Sequence, residues 1–413
     1  MSHKNSLLVI SQAFPPEKGG NASRIHDLTR FMTDEWDVTV VAPAKCYPHG
    51  EYDFTWQPHH REDIDGVEVH RLWAWQPTDP DPSVMSRIAY YVTFAIHAFL
   101  WSVFHINDQD AIMTTSPPLF TGFVALPFAT LLDIPWVVDI RDVWIDLSVN
   151  LGFISEGGLA ERLSKAYRSY ELQIASLITV TTEETADILR QEYGTETPYT
   201  VVPNGVDVES FEPRDETAIT DPVMIYTGTI GHCQALESCV EAICHIGDSS
   251  LTFRIVGDGD LREKLEVRAA ELEVEDRVEF TGFVSREQVP EMLSQATIGI
   301  APIKTDESLR YAVPTKLYEY MACALPVIAV GEGAIEQLVN ESNAGVVAED
   351  DPEAIAAHID ALLSDQERRR ELGTNGRSHV VDHYDRQAIA LEFSDRLSTL
   401  ITEGPSRTER PPA

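Results

Sequence analysis

The sequence is short of lysine and of positive charge altogether: seven lysines and 24 arginines stand against 67 acidic residues among 413, a formal charge of −36. A polyanion is held through a basic stripe, and nothing denser than Arg368, Arg369 and Arg370 is present, so nucleic acid is excluded as a partner. So acidic and lysine-poor a composition fits the interior of a high-salt cell, where a Debye length of about 3 Å at 1 M screens the self-repulsion. Cysteine is scarce too. Cys46, Cys233, Cys239, Cys244 and Cys323 form no C-x-x-C pair and are odd in number, which argues against a disulfide framework or structural zinc. Long apolar runs are nearly absent. The first, at 7–10, is too short for the core of a secretory signal and suits a buried strand, so a cytoplasmic location is expected. The exception is 88–106, which carries no formal charge and approaches the ~20 residues needed to span a bilayer. Its His97, Ser102 and His105, and its continuation through Asp108 and Asp110 into a strand-like 111–115, read as a buried or interfacial helix of a folded domain. A peripheral membrane contact, through 94–104 or 73–75, is the alternative.

What is present is globular: 43% hydrophobic residues in a chain long enough for two to three domains at about 150 residues each. Short β-branched runs without alternation, at 7–11, 37–42, 67–73, 111–115, 135–140, 177–182 and 200–202, predict strands buried on both faces. Amphipathic stretches at 22–33, 159–174 and 183–193 lie between them, the last opened by a Thr181-x-x-Glu184 capping box. A polar, proline-bearing stretch after Pro203-Asn204-Gly205 predicts an interdomain linker over 206–222. The alternation then restarts, with strands at 223–227, 251–256, 278–280, 298–301, 326–330 and 345–348 and helices at 236–246, 261–272 and 286–296, where Ser285-x-x-Gln288 forms a second capping box. This pattern predicts an α/β protein with two doubly wound parallel-sheet, Rossmann-like domains, 5–205 and 223–385, facing a ligand cleft. A final amphipathic helix at 386–402, able to return to the first domain, precedes a flexible tail at 403–413.

Four motifs invite chemistry. Gly19 and Gly20 fall between the first strand and first helix, where amides at a helix N-terminus accept an anion; turn geometry alone explains them equally. Gly228, Thr229 and Gly231 repeat that design in the second domain. Gly257-Asp258-Gly259 lacks the third glycine of a dinucleotide fingerprint and reads either as an ordinary turn or as backbone offered to a nucleobase. In Pro314-Thr315-Lys316-Leu317-Tyr318-Glu319, Thr315 is placed as N-cap, and Lys316 and Glu319 share one helix face. They form either a surface ion pair or a phosphate and sugar contact.

Taken in order with Ser116-Pro117-Pro118, Asp139-Ile140-Arg141-Asp142-Val143-Trp144 and Thr281-Gly282-Phe283-Val284, these motifs resemble the retaining, nucleotide-sugar-dependent glycosyltransferases of family 4, of GT-B fold, over roughly residues 5–400. The likeness is greatest to the subgroup of fucosamine transferases in surface polysaccharide synthesis. The resemblance implies transfer of a hexose or N-acetylhexosamine from a nucleoside-diphosphate sugar, most readily a UDP-sugar, to a glycan or lipid-linked acceptor, without a metal or other cofactor. It implies that Glu319 holds the donor ribose. Pro314 and Thr315 would meet the distal phosphate and sugar, Gly19 and Gly20 the diphosphate, and Phe283, Val284, Gly257 and Gly259 the nucleobase.

The chain departs from the family in three places. Tyr311 stands where a second glutamate is usual, eight before Glu319. Thr229 and Gln234 replace an Arg and a Lys, so Lys316, Arg310 or Lys304 must supply the charge. No His accompanies Asp139, Arg141 and Asp142 at the strand end, where Asp139 or Asp142 would orient the acceptor and Arg141 a neighbour or a phosphate. An Arg–Asp brace is the structural alternative there. A nucleotide-sugar epimerase and a non-catalytic GT-B partner subunit are the competing functions.

Overall fold

A parallel strand covered by helices on both faces must be apolar at every position, and this requirement lays down both sheets. The structure, a computed structural model, describes residues 4–403 except 18, 48, 80, 81, 151, 153 and 214–220. The tail expected at 403–413 lies outside the described residues from 404 onward. The chain divides into two units, Met1–Pro203 with Gln387–Ala413, and Asn204–Arg386.

The first unit contains β1 (Asn5–Ile10), α1 (Gly20–Arg30), β2 (Trp36–Pro43), β3 (His59–Ile64), β4 (Val67–Leu72), α2 (Val84–His105), β5 (Ala111–Ser116), α3 (Phe120–Leu131), β6 (Trp136–Ile140), α4 (Trp144–Asn150), α5 (Leu159–Ile174), β7 (Leu177–Val180), α6 (Glu183–Tyr193) and β8 (Tyr199–Val201). Its sheet has the order β3-β4-β2-β1-β5-β6-β7-β8. Every pairing is parallel except β3 with β4. Alternation along β1 splits the core. Leu8 and Ile10 join Tyr90, Phe94 and Ala98 of α2 and Phe128 of α3 on one face. Leu7 and Val9 face Ile25 and Leu28 of α1 on the other.

The second unit contains β9 (Val223–Thr227), α7 (Leu236–Ala242), β10 (Thr252–Val256), α8 (Arg262–Glu271), β11 (Val278–Gly282), α9 (Val289–Ser294), β12 (Ile298–Pro302), α10 (Thr315–Ala322), β13 (Val327–Val330), α11 (Ala334–Ser342), β14 (Gly345–Ala348), α12 (Pro352–Ser364) and α13 (Gln366–His383). Its strands follow the order β11-β10-β9-β12-β13-β14, all parallel. The last helix, α14 (Arg386–Glu403), belongs to the first unit from Gln387. There Ala390, Phe393 and Leu397 complete the core around Leu7, Val9 and Trp36, and the Trp36 Nε1–H donates to Ser394 Oγ at 3.0 Å.

Several local expectations need correction. Thr182, not Thr181, caps α6, accepting from the Thr185 amide at 3.2 Å. Pro314 is the N-cap of α10 and Thr315 its first residue, because Pro314 stays extended (ψ 140) and brings no side-chain acceptor. The Ser285/Gln288 box is present. The segment read as linker begins as part of the second unit. The Val206 amide donates to Tyr384 O, and Arg377 Nη1 donates to the carbonyls of Val208, Phe211 and Ala322, with the Phe211 ring fully buried. Phe393→Ala, which opens a cavity in the first unit, is expected to cost about 3–5 kcal/mol, read as an earlier urea midpoint for that unit.

Candidate functional site

In the second unit strand order reverses between β9 and β12, and the loops leaving such a switch point are where open α/β sheets receive ligands. Three of the residues singled out in the sequence, Thr315, Lys316 and Glu319, are carried there on α10. Its N-terminus has no side-chain cap and no acidic residue in its first turn, so amide donors and the positive end of the helix dipole stay available. The two tyrosines of this helix are structural. Tyr320 OH donates to no carboxylate but accepts the Thr227 amide at 2.8 Å at the end of β9, and its ring fits because Gly299 lacks a Cβ, which would lie 2.5 Å away. Tyr318 packs on Tyr384. That leaves Lys316 and Glu319 for the ligand edge.

Lys316 and Glu319 do not form an ion pair with each other, one of the two arrangements their spacing allowed. Lys316 Nζ lies 3.7 Å over the Tyr226 ring, approaches Gly228, and donates to Gln234 Oε1 at 3.3 Å. Glu319 Oε1 instead accepts from Arg286 Nη1 at 2.9 Å. Enclosure with one neutral acceptor disfavours the ammonium: burial pulls Lys316 down to about 7, against the opposing pull of Glu319 and Cys239. The lysine therefore occupies the loop in which Gln234 replaces a cation. Lys304 and Arg310, the other candidates, have exposed side chains. Tyr311 is buried.

The glycines have a different purpose from the one expected. A Cβ on Gly257 would come within 2.0 Å of Gly228 O, and one on Gly259 within 2.5 Å of Ile230 O. The Gly228 amide donates to Val256 O at 2.8 Å and the Gly257 amide to Gly282 O at 3.0 Å. Gly257 and Gly259 thus let three loops lie backbone to backbone, Gly228 leaves room for the Lys316 side chain, and the Gly228 N–H is already used and cannot serve a phosphate. Thr229 is exposed and Gly231 half-buried beside them, as are Pro314 and Thr315. Phe283 is exposed and Val284 half-buried just after β11.

In the first unit the order reverses between β1 and β5. Gly19, at φ 130, is the N-cap of α1 without a side-chain cap, and Gly20 opens the helix; both are exposed. The preceding loop is held by Glu17, which sequence reasoning passed over. Its carboxylate accepts from the Cys46 and Tyr47 amides at 2.8 and 3.0 Å, and burial pushes it up to about 7 in spite of them. Asp139 is not placed to orient an acceptor. It is fully enclosed, its oxygens bound by Arg24 Nη1 (2.8 Å) and Thr179 Oγ1 (2.7 Å), so the brace at this strand end is Arg24–Asp139 rather than a pair within the motif. Arg141 and Asp142, just past β6, are half-buried, the Arg141 amide donating to Ser116 O. The α2 patch also differs: Phe94 is buried, while Ile96, Leu100, Val103 and Phe104 are exposed, as are Trp56 and Trp75. By length and composition alone, this helix is long and apolar enough to cross a membrane.

Two parallel α/β units of this kind make up the GT-B fold. Sucrose-phosphate synthase from Thermosynechococcus elongatus aligns over 97% of this chain and 100% of its own, with TM-score 0.78 and 19% identity. Anabaena HepE in complex with UDP-glucose aligns over 96% and 100%, with TM-score 0.70 and 14% identity. The chain belongs among the glycosyltransferases of this fold: the family described as Glycosyl transferase 4-like domain matches residues 19–205, and Glycosyl transferases group 1 matches residues 209–379. Among curated relatives, a 2-deoxystreptamine glucosyltransferase of Streptomyces kanamyceticus is 28% identical over 56% of this chain and 60% of its own. A GDP-mannose-dependent phosphatidylinositol monomannoside mannosyltransferase of Mycolicibacterium smegmatis is 25% identical over 95% and 98%. The chain spans only 50–60% of the length of the first curated relatives it matches. These families are transferases and do not favour an epimerase.

Lys316 carries a stability cost with a defined sign. Its folded value of about 7 lies below the ~10.4 of a free lysine, so between the two the unfolded chain holds a proton that the folded chain lacks, and stability rises with pH. Lys316→Met removes this slope. Relative to wild type it gains stability, on the order of a few kcal/mol below pH ~7, and the advantage shrinks towards pH ~10. Urea unfolding across that range measures it.

Proposed function

We propose that this chain is a glycosyltransferase of the fucosamine-transferase-like group, moving a hexose or N-acetylhexosamine from a UDP-sugar to a lipid-linked glycan with retention. The observation that carries the reading is Lys316, an ammonium enclosed beside an uncapped helix N-terminus at the sheet's switch point. Such a group is suited to a ligand that brings negative charge and restores its proton. In this reading Lys316 and the first amides of α10 meet the donor diphosphate, with Thr229 and Gly231 beside them. Glu319 takes the ribose hydroxyls, Phe283 and Val284 the base, and Pro314 and Thr315 the distal phosphate and sugar. These positive groups make a metal unnecessary.

Arg141 and Asp142 are left to hold the acceptor, since Asp139 is committed to Arg24. As the bond from the anomeric carbon to the diphosphate breaks, the leaving oxygen takes the acceptor hydroxyl's proton and the new glycosidic bond forms on the same face. UDP is supported by the Anabaena protein solved with UDP-glucose, and GDP, the donor nucleotide in the mycobacterial relative's name, is the first alternative. In thermal-shift titrations at molar salt with UDP, GDP and dTDP, one nucleotide is expected to stabilise wild type and to lose at least about tenfold in affinity with Glu319→Ala. A wild type that responds to none of them overturns the reading.

The lipid-linked acceptor is supported by α2, whose Ile96, Leu100 and Val103 recur at i, i+4 and i+7 on its exposed side. Adhesion by such a face on a −36 protein must overcome repulsion from anionic lipid, so vesicle binding should strengthen as salt rises, the reverse of a polybasic contact. Flotation with vesicles containing phosphatidylglycerol, with Leu100→Asp expected to abolish recovery, tests this; binding that weakens with salt refutes it.

A further inference from the structure

Glu319 sits on α10 with a side chain only 8% exposed, and a carboxylate so enclosed requires a compensating cation. Lys316, one turn earlier, is turned towards Tyr226 and Gln234. The cation that reaches Glu319 is Arg286, 33 positions away in sequence, through a 2.9 Å bond to Oε1. The Arg286 side chain is itself 38% exposed, but it is held in place from two sides. The backbone at Arg286 is fixed by the Ser285/Gln288 capping box, in which the Ser285 amide donates to Gln288 Oε1 at 3.0 Å. The guanidinium lies 5.2 Å from the centre of the buried Phe211 ring. The segment carrying that ring is tied by Arg377 to Val208 O, Phe211 O and, at the end of α10, Ala322 O. A closed circuit therefore runs from α10 through Glu319, Arg286, Phe211 and Arg377 back to α10. Arg286 Nη2, moreover, is enclosed and has no hydrogen-bond partner.

We propose that Arg286 is a positioning residue for recognition of the donor's ribose: it locks one oxygen of Glu319, so that the other is presented in a fixed direction to the ribose hydroxyls, and its own unpartnered Nη2 faces an acceptor on the same nucleoside. The proposal rests on the donor reading of Glu319 given above. A planar guanidinium suits this purpose better than an ammonium, because it fixes a plane as well as a charge and leaves Nη2 for a second acceptor. A carboxylate so fixed discriminates strongly against a sugar lacking one hydroxyl, since the missing partner leaves it enclosed and unpaired. Ribose selectivity thus depends on Arg286, while affinity for the diphosphate, which belongs to Lys316 and the helix N-terminus, does not.

The test is titration of the full chain with UDP, 2′-deoxy-UDP and UMP, with GDP, 2′-deoxy-GDP and GMP as the alternative set. Wild type is expected to prefer the ribonucleotide over its 2′-deoxy form by about tenfold. Arg286→Met, which keeps an unbranched side chain and loses the charge, should bring that ratio towards one while leaving the preference for diphosphate over monophosphate unchanged. Arg286→Lys should recover part of the ratio, and it also supplies the reading if the Met variant fails to fold. An unchanged ribose ratio in both variants overturns the proposal, as does an equal loss of the diphosphate preference, which would mean general collapse of the site. Failure of the donor reading is distinct: wild type then binds none of these nucleotides.

Discussion

Everything in the second unit's candidate site follows from one awkward placement, a lysine ammonium held against an aromatic ring and a neutral amide. Lys316 can remain there because the helix that carries it is anchored from below by Tyr320 and Tyr318, and because Gly228 leaves space for its terminal carbons. The ring beneath offers a partial substitute for hydration, and Gln234 offers a single acceptor. Neither replaces water fully, so the group is poised between charged and neutral near physiological pH. In the proposed reading such tension favours the donor, because an anion beside Lys316 would relieve a strain the fold already carries.

Charge in this protein is arranged by enclosure as much as by number. The surface is overwhelmingly acidic, while the buried ionic contacts of the interior, Arg24 with Asp139 and Arg168 with Glu171, link segments far apart or adjacent turns within the first unit. Arg24 also donates to Val202 O, so one guanidinium joins α1, β6 and the end of the chain's first pass. Buried pairs of this kind are costly to break even where their net contribution is small, and they fix which strand ends lie together.

How much of this was legible in the sequence depended on whether the cause was local. Strands buried on both faces declare themselves as unbroken apolar runs, and 223–227 and 345–348 match β9 and β14 residue for residue. β3, His-His-Arg-Glu-Asp-Ile, was invisible for the same reason: an edge strand paired on one side is held by Arg61 with Glu68 and Arg71 with Glu62, not by apolar burial. Lys316 and Glu319 were recognisable because helical spacing and resemblance both point to them. Arg286 was not, because its partner is brought to it only by the closing of the sheet. The Asp139 brace was foreseen in kind but not in partner, since Arg24 lies 115 residues away. The glycines misled in an instructive way. Gly257 and Gly259 stand at strand ends as read, yet their missing side chains make room for neighbouring backbone, whereas Gly228 makes room for Lys316.

The return of α14 to the first unit has a consequence for synthesis. Phe393, Ala390 and Leu397 close a core whose other pieces, Leu7 and Val9, leave the ribosome ahead of the whole of Asn204–Arg386. The first unit therefore emerges with an apolar face that waits for α14 to be made, whereas Asn204–Arg386 can close on itself while still tethered. In order of completion the second unit comes before the first, although the first was begun earlier.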